Sequence, residues 1–143
     1  MPSCATYDDI QLVLRLYEIR REERLRDARR WFGANFHAKD MTEFAAVCPP
    51  GSTENESFRM VVTYWDMAAS FINIGVLQPE ALFESGYEML VVWERIRELL
   101  PAMREAREDP AAFSNLEEVS KAYIEWREVR SPGAHAAFAK RIG

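Results

Sequence analysis

The chain has 143 residues, 48% of them hydrophobic and 29% charged, with a formal net charge of −5. This composition fits one globular domain large enough for its own core, and excludes a disordered or low-complexity chain. The acidic balance offers no general attraction for nucleic acid or an anionic membrane surface.

The first helix is expected to begin near Thr6 to Asp8 and to run to about Phe32. Gly33 would stand just past its end, where positive φ is needed. Such a rod measures roughly 40 Å. Its apolar stripe is Ile10, Leu14 and Tyr17, then Ala28 and Trp31, with Val13, Leu25 and Phe32 alongside. Arg21 and Arg24 fall on the same face. A second apolar patch, Leu12, Leu16 and Ile19, lies opposite, so the N-terminal half of this helix needs cover on two sides.

Asp40 with Glu43 resembles a capping box for a short helix reaching Ala46 or Val47, and Pro49-Pro50-Gly51-Ser52 breaks the chain. Asn55 or Ser57 is expected to cap a second long helix, ended by Gly75. Within it Arg59, Thr63, Asp66, Ser70 and Asn73 recur at steps of four, three, four and three. They confine the polar groups to an arc of about 80°. A helix so apolar is either the central helix of its domain or is covered by a second subunit.

Pro79 to Phe83 reads as a short turn of helix, with Pro79 at its first position. A third helix is expected from about Gly86 to Leu100, with Met89, Val92, Trp93, Ile96, Leu99 and Leu100 on its apolar face. Pro101 kinks or ends it, with room for one or two further turns before Asp109-Pro110. Asn115 with Glu118 caps the last strong helix, whose stripe is Leu116, Val119, Tyr123 and Trp126. Ser131-Pro132-Gly133 stops it, leaving residues 131–143 as a tail with at most a short helix. No segment alternates with period two. The reading is all-α: a bundle of four main helices with two or three short ones, in a single domain with its core at about 7–130.

Several elements carry a family resemblance: Arg21-Glu22-Glu23 with Ala28 and Trp31-Phe32, then Phe58-Arg59 with Tyr64-Trp65-Asp66-Met67-Ala68. Leu82-Phe83 and Val92-Trp93-Glu94 extend it. Over most of residues 10 to 105 the chain resembles a family of small, uncharacterised bacterial helical proteins, a domain of unknown function. The resemblance implies an all-helical fold and no known activity, so it carries over no catalytic residue. Some relatives bear an N-terminal membrane anchor. None is read here: the longest apolar stretch is interrupted by Arg59 and Asp66, and the start MPSCATYDDIQ carries acids where a signal peptide needs bases. A soluble, cytoplasmic protein is expected.

Reaction signatures are missing from the sequence. It holds no G-x-S-x-G, P-loop, dinucleotide fingerprint, His-Glu-x-x-His or Glu-x-x-His. His37 and His135 read as solvated loop histidines. Cys4 and Cys48 match no metal or redox spacing and read as free thiols. No enzyme, metal or cofactor is expected. The arginines of residues 20–30 alternate with acids, a pattern of solvated i, i+3 and i, i+4 pairs such as Glu22 with Arg26.

The candidate ligand-binding residues are Arg21, Arg24, Arg59, Asp66 and Asn73. Three readings of the polar stripe stay open. It faces solvent, or Asp66 and Asn73 turn inward to meet arginines of the first helix, or the same groups line a pocket for a small polar or anionic ligand. The expected function is a non-enzymatic helical interaction or regulatory protein, with a small-molecule-binding bundle as the alternative. The two uncovered apolar faces point to a homodimer and a possible protein partner, with no nucleic acid and no membrane.

Overall fold

The structure is a computed structural model that describes residues 4–143. Among the described residues there are nine helices and no strand: α1 (Tyr7–Arg20), α2 (Glu23–Asn35), α3 (Met41–Val47), α4 (Thr53–Asn73), α5 (Pro79–Phe83), α6 (Glu88–Ile96), α7 (Leu100–Ala106), α8 (Ser114–Arg130) and α9 (Ala134–Ile142).

α4 is the axis of the domain. Its sequence is apolar on nearly all sides because other helices of the same chain cover it, α2 on one flank and α8 on the other. Phe58, Val62, Trp65, Ala68 and Ala69 are buried along it. The narrow polar arc is thus the mark of a central helix; a second subunit is not needed to explain it. Ser52 rather than Asn55 or Ser57 caps this helix, its side chain accepting from the Asn55 N–H, and Gly75 ends it at φ +83°.

α2 runs antiparallel to α4. Phe32 near its end lies against Phe58 near the start of α4, while Leu25 near its start shares a shallow groove with Tyr64 and Met67. Phe32, Phe36, Phe44 and Phe58 form one aromatic cluster, with ring centroids 4.9–5.0 Å apart for the closest pairs. Phe83, Tyr123 and Trp126 form a second between α5 and α8.

The expected 26-residue first helix is two helices. It breaks at Arg21–Glu22, where Glu22 takes φ −57°, ψ 140° and its carboxylate caps the Leu25 N–H. Local propensity favours continuation here, but tertiary contacts outweigh it. Arg29 donates to the Arg20 carbonyl, and the Tyr64 hydroxyl donates to the Leu16 carbonyl, holding α1 across the domain. The break rotates α1 so that Leu12, Leu16 and Ile19 face the core, and Ile10, Leu14 and Tyr17 do not. Gly33 lies inside α2, which continues to Asn35.

The expected third helix is likewise divided. α6 stops at Ile96, and Pro101 sits in the first turn of α7, a position proline favours, so it opens a helix rather than ending one. The expected tail is α9, entered through Gly133 at φ +82° and packed on the core through Phe138 (2% exposed). The domain therefore continues to Ile142 rather than to about residue 130. Cys4 and Cys48 are free thiols, the first exposed and the second buried.

Candidate interaction surface

One of the three readings gave the α4 stripe partners among the arginines of the first helix; the partner of Asp66 and Asn73 is instead α8. α8 starts from Phe113 in the left-handed region (φ 56°), with no side-chain cap of its own. Asp66 supplies one from the neighbouring helix, its Oδ1 accepting the Leu116 N–H at 3.0 Å. Asn73 donates to Asn115 Oδ1 (2.9 Å) and Glu118 Oε2 (3.2 Å). The lower half of the stripe is thus a dock for the positive end of α8. The upper half is local: Arg59 donates to Asn55 Oδ1 and Thr63 to the Arg59 carbonyl, both side chains exposed.

Arg21 and Arg24 are exposed. Arg21 stands over the Tyr17 ring at 5.7 Å, and Arg24 rims a hollow of about 300 Å³ between α2 and α4 whose floor is Trp31, Ala28 and Met60. None of Arg21, Arg24 and Arg59 pairs with Asp66 or Asn73. The five candidate residues do not form one site, and no buried charge pair keys the two helices. The expected Glu22 with Arg26 pair is replaced by the Glu22 cap, and Arg30 with Asp27 (3.6 Å) is the exposed pair of this run.

The arginines that do organise the fold are others. Arg29 holds Glu88 with its Nε 2.9 Å from both carboxylate oxygens. Arg20 lies 5.2 Å over the Trp65 ring. Arg95 Nη1 donates to the carbonyls of Phe32, Gly33 and Phe36, and Nη2 to that of Ile142, so one cation closes the C-terminal ends of α2 and α9. Carbonyl targets leave no pattern in a sequence, so nothing there flagged Arg95. His135 is buried, not solvated, with Nε2 3.0 Å from Glu94 Oε2. His37 is exposed, and partial burial together with the cations of Arg95 and Lys39 lowers its pKa.

What the fold leaves unused is one side of α1. Tyr7 (77% exposed), Ile10 (44%), Leu14 (49%) and Tyr17 (48%) step by three, four and three, the spacing of a two-stranded helical seam. They leave roughly 400 Å² of apolar surface, as large as the largest patch of many monomers. The opposite side of α1 is fixed to the domain: Asp9 Oδ1 accepts the Gln78 N–H at 2.8 Å, and Leu16 is 3% exposed. The Thr6 N–H first, and then that of Gln78, hold the Asp9 carboxyl below its ordinary pKa.

Among the described residues no helix is long and apolar enough to cross a membrane, and no group of three or more His, Cys, Asp or Glu side chains is placed to hold a metal. No curated protein and no solved structure matches the chain. The family model described as domain of unknown function (DUF4760) matches residues 5–126, from ahead of α1 to within α8, and the chain belongs to that family.

Proposed function

We propose that this protein is a non-enzymatic helical interaction module, cytoplasmic and bacterial, that binds through the outer face of α1 and forms a homodimer. The observation that carries this reading is the exposed Tyr7, Ile10, Leu14 and Tyr17 stripe on a helix whose other face is already buried. An apolar row of that length on a chain of net charge −5 favours a helical partner over nucleic acid or lipid. Size-exclusion chromatography with light scattering tests it. The wild type is expected at twice 16.6 kDa at high concentration, and Leu14→Glu with Tyr17→Glu is expected to return it to monomer with unchanged helicity. A dimer that this double variant leaves intact refutes the assignment of the face.

The alternative, a bundle that binds a small polar ligand, is favoured by one feature, the hollow of Arg24, Trp31 and Met60 between α2 and α4. Its rim also carries Asp27, Glu54 and Glu56, which disfavours an anion.

A further inference from the structure

α1 is apolar on two sides, and its uncovered side is in register with α2. Tyr7 and Leu25, Ile10 and Ala28, and Leu14 and Phe32 are each eighteen residues apart, which is five turns at 3.6 residues per turn. If α1 ran straight into α2, the uncovered stripe would continue the row by which α2 packs against α4. Because α2 is antiparallel to α4, that row would head over Met67 and Ile74, which are 37% and 69% exposed.

Two neighbouring residues stand between the two arrangements. Arg21 (φ −84°, ψ −8°) is partly unwound from helical values, and ψ of Glu22, at 140°, is the large departure from the roughly −40° of a helix. Neither glycine nor proline occupies the junction. A straight helix would give the N–H groups of Glu23, Arg24 and Leu25 the carbonyls of Ile19, Arg20 and Arg21. The bent form offers this turn one side-chain cap, from Glu22 to Leu25.

Straightening within one molecule is unfavourable, because it strips Leu16 and Trp65 of cover and releases the Asp9 to Gln78 and Tyr64 to Leu16 bonds. A second copy that lays its own α1 in the vacated bed restores every one of these contacts. We propose that two copies of the chain exchange α1 about a hinge at Arg21–Glu22, α1 and α2 joining into one continuous helix in each.

Area supports exchange over simple face-to-face docking. Two outer stripes laid together bury roughly 800 Å² in total, short of the roughly 1,200–2,000 Å² of a stable interface. Exchange adds the whole inner face of both α1 helices. The inference rests on the homodimer reading above and specifies how that dimer is built.

Glu23→Pro is the discriminating variant. Glu23 is the first residue of α2, where proline is accepted, and Glu22 already has the extended torsion that precedes a proline. The same proline would kink a continuous helix. Glu23→Pro is expected to abolish the dimer while the far-ultraviolet circular dichroism stays that of the wild type, and Glu22→Ala is expected to lower the dimer dissociation constant at least twofold. Nitroxides on Asp8→Cys and Asn35→Cys, in a Cys4→Ser background diluted with unlabelled chain, read the hinge directly. Their backbone separation is expected near 40 Å in the dimer, the span of a straight helix, and shorter in Glu23→Pro. A dimer that survives Glu23→Pro and keeps the short separation overturns exchange and leaves the homodimer standing. A wild type that remains monomeric at millimolar concentration overturns both.

Discussion

Asp66→Ala is the sharpest test of how the domain is held together. Among the described residues the carboxylate is the one side chain capping α8, a helix of 17 residues whose own preceding residue, Phe113, has no capping atom. A hydrogen bond to a charged group contributes about 1.5–3 kcal/mol, and losing a helix cap costs about 1 kcal/mol, so a loss near 2 kcal/mol is expected. For a chain of this length each kcal/mol moves the midpoint by roughly 3–4 °C, so Tm should fall by roughly 6–8 °C. Asp66→Asn keeps an oxygen acceptor and loses only the charge facing the helix dipole, and should cost about 0.5–1 kcal/mol. Urea and thermal unfolding give the energies, and amide exchange at Leu116 gives the location, since that N–H loses its acceptor. The reasoning fails if Asp66→Ala lies within about 0.5 kcal/mol of wild type, or if Leu116 exchanges no faster.

Arg95→Lys should cost about 2–3 kcal/mol in urea unfolding, because an ammonium cannot reach the Phe32–Phe36 carbonyls and that of Ile142 together; wild-type stability would refute the clasp. Burial, and then the charge of Glu54, push the Cys48 thiol up to about 11. A thiol reagent near neutral pH should therefore titrate one cysteine, Cys4, in the native protein and two after unfolding. Two fast thiols in the native state would contradict the placement of Cys48. Glu117 is held below its ordinary 4.5, first by its bond to Lys121 and also by Arg104, and Asp9 below 3.8 by the Thr6 and Gln78 N–H groups. Depressed values mean that their stabilisation is present above those ordinary pKa values and is lost as pH falls through the lower folded ones. The urea midpoint should decline from pH 4.5 downward, and less steeply in Glu117→Gln; an identical decline in both proteins would refute that share.

Some of the caps and breakers were legible, whereas the expected stops at Gly33 and Pro101 and the expected caps at Asn55 or Ser57 and at Asn115 with Glu118 were not where the helices begin or end. Asp40 accepts from the Glu43 N–H, Pro79 opens α5, and Gly75 closes α4 as its positive φ requires. The helical class and the single polar arc of α4 follow from periodicity alone. The break at Arg21–Glu22 was not legible, because its residues all favour helix and what bends the chain lies far away in sequence, at Tyr64 and Glu88. For the same reason periodicity found two apolar faces on α1 but ranked the wrong one as core. Asp66 was singled out as a candidate for ligand or charge pairing, yet its partner is a backbone N–H, and backbone groups carry no residue code. The one reading that paired it with arginine matched charge to charge and overlooked the positive end of a helix.

The four carbonyl bonds of Arg95 have a bearing on where this domain can be cut. The family match stops at residue 126, and a polypeptide trimmed near there would discard α9. It would also take away His135 from Glu94, the Phe138 ring from the core, and the Ile142 carbonyl from the guanidinium that finishes α2. A shortened chain should then fray first at residues 32–36, far from the deletion in sequence. The last helix is a keystone, and its removal would be felt at the end of α2 rather than where the polypeptide was trimmed.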